Sequence, residues 1–494
     1  MALLLANIAF GINTAKLKII DTAGCNLTIV EETALNTYSL KLTSDVHNWF
    51  SCVFNGLDTS NPTTFTLDMN TNFDGALMDL SKWEGLWPVY TYSYYWSYDA
   101  YVYYIKDDNG NWISSDLFLK DKLAGNGKIP IQNVIPAELA EEFLSEDETY
   151  WSAWQEIKDT KTNLGSNTFT ITKQFHSPNA ALSMRIPYTY NYMFEYISRL
   201  RNQKISGVTV HRIGQSIKQD SLYAVEISDP HASKEELKER RVVLMYANED
   251  GSEPDGCWVI NGAMNYLIQG IQNDDKEVKK ILSEVTFLFI PMLDPVGWRN
   301  STYGKLTYEF SPDDYRNVPR NEVINYAEFI IKWCGDYGYR LDVVCNFHNI
   351  ECAEGPNVLF PAIESTYYDS VVNLKRFMLK SLQNVKKSDV VWIEGYMENR
   401  YMGWCTDRWG SISALFEINS RYPDNRLSLK DLNDLGKDFV LSFYSYFGSD
   451  EYERALPYIE KAYSEQIINR NKYINEPKKA RAIPIAFYTL GMGW

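Results

Sequence analysis

The chain has 494 residues, of which 45% are hydrophobic and 14% aromatic, and this is enough apolar sequence for two packed cores. Its net charge of −16 argues against a general nucleic-acid-binding role, because such proteins present a basic face to the phosphates. No run of about 18 apolar residues occurs, so the sequence predicts no membrane-spanning helix.

The first residues, M-A-L-L-L-A-N-I-A-F-G, form a short apolar run with no basic residue before Lys16 and no clear cleavage site. This pattern predicts a first β-strand and not a signal peptide. The seven cysteines are scattered along the chain without a CxxC pair, which indicates reduced thiols and neither a disulfide framework nor a cysteine zinc site. Both features lead us to expect a cytoplasmic protein.

Residues 1–178 are rich in Tyr, Trp, Thr and Asn, with strand-like alternation in T-Y-S-L-K-L, T-F-T-L-D-M and A-Y-V-Y-Y-I. Turn signals such as D-D-N-G-N separate these stretches, and one helix is predicted near Ala137 to Leu144. The pattern predicts an antiparallel β-sandwich domain. Its aromatic stretch, Trp87 to Tyr98, is either a platform for a carbohydrate or protein partner or a sheet face packed against the next domain.

The pattern changes in residues 179–494, where buried strands such as V-V-L-M-Y, L-D-V-V-C-N-F and A-L-F-E-I alternate with helical patterns. Strands of this kind predict an α/β domain with a mostly parallel or mixed sheet that helices cover on both faces. Ligands bind such sheets at the carboxyl ends of the strands. The polar residues at those ends are Asp250, Glu253, Asp294, His348 and Glu417.

These residues, in this order, resemble the zinc carboxypeptidase family, and most closely its cytosolic carboxypeptidase branch, over nearly the whole chain. I-P-Y-T-Y resembles the segment that joins the branch's β-sandwich to its catalytic domain, and D-V-H-N-W-F-S-C-V-F-N-G resembles the sandwich's Trp-Phe signature. D-G-S-E-P-D-G-C-W resembles the family's His-x-x-Glu motif. The family's Asn-Pro-Asp-Gly turn resembles F-I-P-M-L-D-P-V-G-W here. The segment that carries its third metal ligand resembles N-F-H-N, and the strand that carries its catalytic glutamate resembles A-L-F-E-I-N.

The resemblance implies that Asp250, Glu253 and His348 are metal ligands and that Glu417 is the catalytic base. Asp250 stands where the family has its first ligand histidine. The family implies zinc as the cofactor, although two carboxylates and one imidazole suit Mn²⁺ or Fe²⁺ about as well. A site degenerate enough to bind no metal is the remaining alternative.

The substrate-binding residues also depart from the family pattern. The resemblance places Tyr315 and Arg316 at the family's Asn-Arg pair, which holds the terminal carboxylate of the substrate. The arginine is present and the asparagine is not. Tyr303 stands where the resemblance places the family's arginine that polarises the scissile carbonyl, and Arg299 lies close by in the sequence.

Each site residue also has a purely structural interpretation. Asp250 could be a turn residue that caps the following helix, and Glu253 an acid stabilised by that helix's dipole. His348 could be a hydrogen-bonded core histidine, and Arg316 could pair with a neighbouring aspartate. Glu417 stands between two large apolar residues, where a solvated charge is hard to accommodate, so its position favours a site role.

Two functions therefore stay open at the level of the sequence. The first is metal-dependent hydrolysis of C-terminal peptide bonds by an atypical site, with peptide C-termini as the partners and neither nucleic acid nor membrane involved. The second is a catalytically inactive carboxypeptidase fold that serves as a binding or structural module, for example within a virion, with protein partners bound through the N-terminal domain.

Overall fold

The structure is a computed structural model that describes residues 17–20, 23–43, 49–69, 80–93, 98–118, 134–300, 320–336, 341–349, 357–362, 390–392, 401–409, 411–420, 426–450, 452–454 and 456–457. The predicted strand in M-A-L-L-L-A-N-I-A-F-G lies outside these residues. The chain forms two compact units, the first made of Met1–Glu195 with Trp298–Tyr303 and the second of Tyr196–Gly297 with Gly304–Trp494. The predicted boundary at residues 178 and 179 stays a prediction.

The described strands of the first unit are short and turn-bounded. They are β1 (Lys18–Ile20), β2 (Leu27–Ala34), β3 (Thr37–Leu42), β4 (Ser51–Asn55), β5 (Thr63–Asp68), β6 (Val89–Thr91), β7 (Tyr103–Lys106), β8 (Trp112–Ser114), β9 (Tyr150–Ser152), β10 (Gln155–Glu156), β11 (Thr160–Asn163), β12 (Thr168–Lys173) and β13 (Asn179–Ser183). The 3-10 helices Leu80–Trp83, Tyr98–Tyr101 and Ala137–Phe143 lie between them. The predicted helix at Ala137 is thus a 3-10 helix.

Two five-stranded sheets face each other in this unit. The first has the order β1-β4-β13-β6-β10 with antiparallel pairs, and the second has the order β11-β12-β5-β3-β2. The Phe54 ring of β4 stacks on the Phe65 ring of β5 with 4.4 Å between centroids, so aromatic side chains from both sheets form the core. The pair β3–β5 is parallel, so the second sheet is mixed, whereas the sequence predicted antiparallel pairing throughout.

The aromatic stretch Trp87 to Tyr98 contributes β6 to the first sheet, and residues 94–97 of it lie outside the described residues. A smaller sheet of order β8-β7-β9 completes the described strands of this unit. Tyr90 and Tyr92 of the stretch are buried. These two rings are therefore core residues of the unit.

The remaining described elements are helices interspersed with strands. The helices are α1 (Tyr190–Gln203), α2 (Lys234–Lys238), α3 (Asp255–Gln272), α4 (Lys276–Glu284), α5 (Pro295–Asn300), α6 (Asn321–Asp336), α7 (Tyr401–Trp409) and α8 (Leu429–Phe447). The strands are β14 (Val208–Gln215), β15 (Ser221–Ile227), β16 (Arg241–Ala247), β17 (Val285–Ile290), β18 (Val343–Asn349), β19 (Asn357–Ala362), β20 (Val390–Trp392) and β21 (Ile412–Ile418). None of the described helices is long and apolar enough to cross a membrane.

These strands form one mixed sheet of order β14-β15-β17-β16-β18-β21-β19-β20. Its centre, β17-β16-β18-β21, is parallel. The pairs β14–β15, β15–β17 and β19–β21 are antiparallel, and the pair β19–β20 is parallel. The mixed sheet of the predicted α/β domain is confirmed. The parallel centre brings the carboxyl ends of β16, β18 and β21 to one edge.

Helices cover both faces of this sheet. On one face, side chains of α6 and α7 join a buried cluster with alternate residues of the strands, including Leu244, Val344 and Leu415. On the other face, the Phe439 ring of α8 contacts Phe347 and Phe416 edge-on at 4.8 and 4.9 Å between centroids. Successive residues of a strand point to opposite faces, so both faces of β18 and β21 are buried.

Candidate metal centre

The predicted ligands lie at the edge where the central parallel strands end. Asp250 and Glu253 belong to the loop between β16 and α3, and His348 is the penultimate residue of β18. Glu417 lies in β21 directly opposite His348 in the parallel ladder, so the two side chains leave the same face of the sheet. The topology therefore brings together residues that are up to 167 positions apart, from Asp250 to Glu417.

The ligand atoms of Asp250, Glu253 and His348 all lie within 4.8 Å of one another. His348 Nδ1 is 2.8 Å from Glu253 Oε2 and 3.3 Å from Asp250 Oδ2. The second distance is close to the roughly 3.4 Å between ligands of a tetrahedral ion with bonds of about 2.1 Å. All three side chains are at most 3% exposed. Two carboxylates and an imidazole at this spacing fit one divalent cation.

The pKa values in this group are set by burial and by several carboxylates that lie close to the single imidazole of His348. Burial raises the pKa of Glu253 well above its ordinary value; His348 opposes this rise, and the charges of Asp250 and Glu417 add to it. Burial alone would lower the pKa of His348. The charge of Glu253 and hydrogen bonds to Asp250, Glu249 and Glu253 overcome that effect and raise this pKa well above its usual range.

Sequence reasoning missed the groups on the opposite side of the imidazole. Glu249 Oε2 lies 3.3 Å from His348 Nε2, and Asn346 Nδ2 lies 2.8 Å from the same nitrogen. Asn346 Nδ2 also donates to Glu249 Oε2 at 2.5 Å. Both residues are fully or almost fully buried. Glu249 could have been found as another acid at the end of β16, and Asn346 from its two-residue spacing to His348 in a strand.

A second group of residues that the sequence did not predict links the ends of β18 and β21 to the start of α3. Asn349, the last residue of β18, donates from Nδ2 to Asp255 Oδ2 at 2.5 Å and accepts from the Asp255 backbone N–H at 3.1 Å. The Ser420 hydroxyl, just after β21, also donates to Asp255 Oδ2. The Asn349 backbone N–H donates to Glu253 Oε2 at 3.1 Å. The start of α3 is thereby tied to β18 and β21.

The loop that carries Asp250 has a backbone built for a sharp turn. Asn248 adopts φ 61°, a left-handed conformation that Asn tolerates better than most residues. Its Nδ2 donates to the backbone oxygens of Asp250 and Gly251 at 3.2 and 3.1 Å. At the start of α3, a Cβ on Gly256 would stand 2.6 Å from Phe347 Cβ, so only glycine lets the helix approach β18 this closely.

Asp294 lies outside the ligand group and supports the same loop. Its backbone N–H donates to the Asn248 oxygen at 2.9 Å, and its Oδ1 accepts from Gly297 N at 2.8 Å and from Arg320 at 2.6 Å. Burial raises the pKa of Asp294 to about 6 although Arg320 opposes the rise. Burial lowers the pKa of Arg320, but Asp294 and Glu322 outweigh it, so the guanidinium stays charged.

Tyr315, Arg316 and Tyr303 lie outside the described residues. Their roles in substrate binding stay predictions. Arg299 is described at the end of α5, where its backbone oxygen accepts from Gly24 N at 3.1 Å, a contact within the first unit.

Comparison with known proteins agrees with the fold and with the resemblance to zinc carboxypeptidases. A family model described as zinc carboxypeptidase (Peptidase_M14) matches residues 193–311, a segment that contains Asp250 and Glu253. Over 138 residues the chain is 26% identical to cytosolic carboxypeptidase 2 of Danio rerio. That match covers 27% of this chain and 18% of the relative, so the chain corresponds to less than a fifth of that protein.

Solved structures extend the likeness to most of the chain. A metallo-carboxypeptidase from Burkholderia cenocepacia has a TM-score of 0.62 at 12% identity, covering 87% of this chain and 99% of that one. A metallo-carboxypeptidase from Pseudomonas aeruginosa has a TM-score of 0.54 at 13% identity, covering 87% and 98%. At such identities the likeness shows the fold alone. The chain therefore has a carboxypeptidase-like fold, and its residues 193–311 match the zinc carboxypeptidase family model.

Proposed function

We propose that this chain binds one divalent cation through Asp250, Glu253 and His348 and hydrolyses C-terminal peptide bonds with Glu417 as the base. The observation that carries the proposal is the convergence of three buried ligand atoms within 4.8 Å at the end of a parallel sheet. Glu417 stands opposite His348 in the neighbouring strand, where a general base for this site would be needed.

The donor set bears on the identity of the cation. The family implies zinc, and the two carboxylates with one imidazole suit Mn²⁺ or Fe²⁺ about as well. When bound, such a cation supplies Lewis-acid chemistry at the scissile carbonyl and makes water a better nucleophile at neutral pH. A carboxylate in place of a neutral imidazole adds negative charge, so we expect this chemistry to be weaker here than in a site with two histidines.

The remaining steps belong to the protein's own residues. Glu417 would take a proton from the attacking water on its carboxylate and deliver it to the leaving amine. Arg316 would bind the terminal carboxylate of the peptide through two parallel hydrogen bonds, with the Tyr315 hydroxyl beside it. These assignments define the substrate as a peptide with a free C-terminus.

The second candidate function is a carboxypeptidase fold that binds a partner without catalysis. One observation favours it: Asp250 occupies the position of the family's first ligand histidine and lies among other buried acids. In that case the site would serve structure, and the strand-rich first unit would carry the contacts to protein partners, for instance in a larger particle.

Two measurements separate these functions. The first is the metal content of protein purified without added metal. The second is the release of C-terminal amino acids from a mixed peptide pool with and without Zn²⁺ or Mn²⁺, by the unmodified chain and by Glu417→Gln. Glu226→Gln is the matched control, because Glu226 is a buried glutamate of the same sheet that contacts His211 instead of the site.

Metal-dependent release that is lost in Glu417→Gln and kept in Glu226→Gln is the result we expect. Release that Glu417→Gln leaves unchanged would refute the role of Glu417. A protein that contains no metal, binds none when it is added and releases no amino acids would refute the proposal and favour the binding module.

A further inference from the structure

The His348 ring has carboxylates near both of its nitrogens. Its Nδ1 faces Asp250 and Glu253, which are the other members of the ligand group. Its Nε2 faces Glu249 Oε2 at 3.3 Å and Asn346 Nδ2 at 2.8 Å. Neither Glu249 nor Asn346 belongs to the ligand group. They are candidates for controlling which ring nitrogen is available to a cation.

The two neighbours of Nε2 favour opposite tautomers of the neutral ring. The Asn346 amide is a donor, so it favours a ring in which Nε2 accepts and Nδ1 carries the proton. The Glu249 carboxylate is an acceptor, so it favours a ring in which Nε2 carries the proton and Nδ1 is free. Only the second tautomer can ligate a cation between Asp250 and Glu253, because a ligating nitrogen carries no proton.

We propose that Glu249 is a positioning residue that holds the Nε2–H of His348 and thereby presents Nδ1 to the cation. The inference rests on the proposed function, in that it assumes the same cation site. In this arrangement the Asn346 amide makes no hydrogen bond to Nε2, 2.8 Å away, and donates to Glu249 Oε2 at 2.5 Å, so it competes with the Nε2–H for the same carboxylate oxygen. Hydrogen bonds like that from Nε2–H to Glu249 orient metal-bound histidines and typically contribute 10–100-fold to metal affinity.

The structure offers a matched control for Glu249. Glu226 is also 2% exposed, belongs to β15 and places its Oε2 2.9 Å from the Nε2 of His211. His211 is not in the ligand group. Glu249→Gln and Glu226→Gln therefore remove the same charge from the same kind of glutamate–histidine pair, inside and outside the site.

The first test is the affinity for Zn²⁺ and Mn²⁺, measured on the full chain by competition with a chelator. We expect Glu249→Gln to weaken binding about 10–100-fold, since glutamine offers Nε2 a donor or a weaker acceptor. Glu226→Gln should leave binding within about threefold. Asn346→Ala removes the competing donor and should leave the affinity unchanged or raise it. A fall of tenfold or more in Asn346→Ala, or no fall in Glu249→Gln, would overturn the proposal.

The second test does not require a bound metal. In protein with ¹⁵N-labelled histidine, a ring N–H held by a carboxylate gives a slowly exchanging proton resonance, which His348→Gln identifies among the five histidines. We expect an Nε2–H signal of His348 whose exchange with solvent is faster in Glu249→Gln and unchanged in Glu226→Gln, and equal exchange in the unmodified chain and Glu249→Gln would overturn the inference. An Nε2 without a proton in the unmodified chain would overturn the inference.

The two proposals fail in different ways. If the unmodified chain binds neither cation but shows the Glu249-dependent Nε2–H signal, the proposed function is wrong and the Glu249 contact stands. If the chain binds metal equally well with and without the Glu249 carboxylate, the proposed function stands and the positioning role is wrong.

Discussion

Replacing Asn349 with alanine should destabilise the second unit far more than a typical loss of a buried amide. Asn349 Nδ2 donates to the Asp255 carboxylate at 2.5 Å, and Asn349 Oδ1 accepts from the Asp255 backbone N–H at 3.1 Å. A hydrogen bond to a charged group contributes about 1.5–3 kcal/mol and a neutral one about 0.5–1.5 kcal/mol. Their loss should lower the free energy of unfolding by about 2–4.5 kcal/mol.

Asn433→Ala is the matched control for this experiment. Asn433 is also buried, but its Nδ2 donates to a neutral acceptor, the Leu429 backbone oxygen, at 2.8 Å. Its replacement should therefore lower the free energy of unfolding by about 0.5–1.5 kcal/mol. Urea unfolding followed by tryptophan fluorescence and by circular dichroism measures both variants. If Asn349→Ala is no more destabilising than Asn433→Ala, the link between α3 and β18 does not stabilise the unit as we argue.

Three further predictions concern helix packing, pH and metal choice. A Cβ on Gly436 would lie 2.0 Å from the Val259 backbone oxygen, so Gly436→Ala should lower the free energy of unfolding by about 1–3 kcal/mol or more, measured by thermal unfolding. Gly448→Ala is the control, because the atom nearest to its added Cβ is 3.8 Å away, and it should change the stability little. Because the folded pKa of Asp294 is about 6, above the ordinary 3.8, its ionisation costs stability as pH rises from about 4 to above 6. Asp294→Asn should therefore gain about 2–3 kcal/mol relative to the unmodified chain between pH 4 and pH 7.5 in urea titrations, and a pH-independent difference would contradict this. Asp250→His should tighten Zn²⁺ binding at least tenfold in chelator competition, because imidazole is the better zinc ligand. It should not bring full hydrolysis, because the family's asparagine and arginine would still be missing. Equal zinc affinity in the two proteins would show that Asp250 is not a ligand.

Much of the α/β architecture could be predicted because its strands are buried on both faces. Runs such as V-V-L-M-Y have no polar alternation, and this is typical of the centre of a parallel sheet, where β16 lies. The convergence of Glu253 and His348 follows from the same property, since parallel strands end at one edge. Their metal-binding role is a prediction that the geometry supports.

The pairing within the first unit could not be predicted from alternation. Strands β3 and β5 pair in parallel because β4, which lies between them in sequence, belongs to the opposite sheet. Alternation shows which side chains of a strand are buried but not which strand is its neighbour. The 3-10 helix Ala137–Phe143 was expected as a helix, but nothing in A-E-L-A-E-E-F distinguishes a short 3-10 helix from an α-helix.

Glu249 shows why part of the site could not be predicted from the sequence. It precedes Asp250 directly, and in a strand two successive residues would point to opposite faces. The left-handed φ of Asn248 ends that alternation, and the loop places both acids around one imidazole, on opposite sides of the ring. A turn of this kind depends on one backbone angle, which residue periodicity does not show.

The balance of charge in the described part of the site bears on the two candidate functions. Glu249, Asp250 and Glu253 surround a single imidazole, and each of the three is almost completely buried. One imidazolium can offset one of these carboxylates, and further buried like charges cost free energy unless they are protonated or paired. A divalent cation on the Nδ1 side would offset Asp250 and Glu253, leaving Glu249 to hold the Nε2–H. In this arrangement each of the three buried carboxylates faces either the cation or the Nε2–H of His348, in addition to the donors Asn346 and Asn349, and this supports the metal-binding proposal.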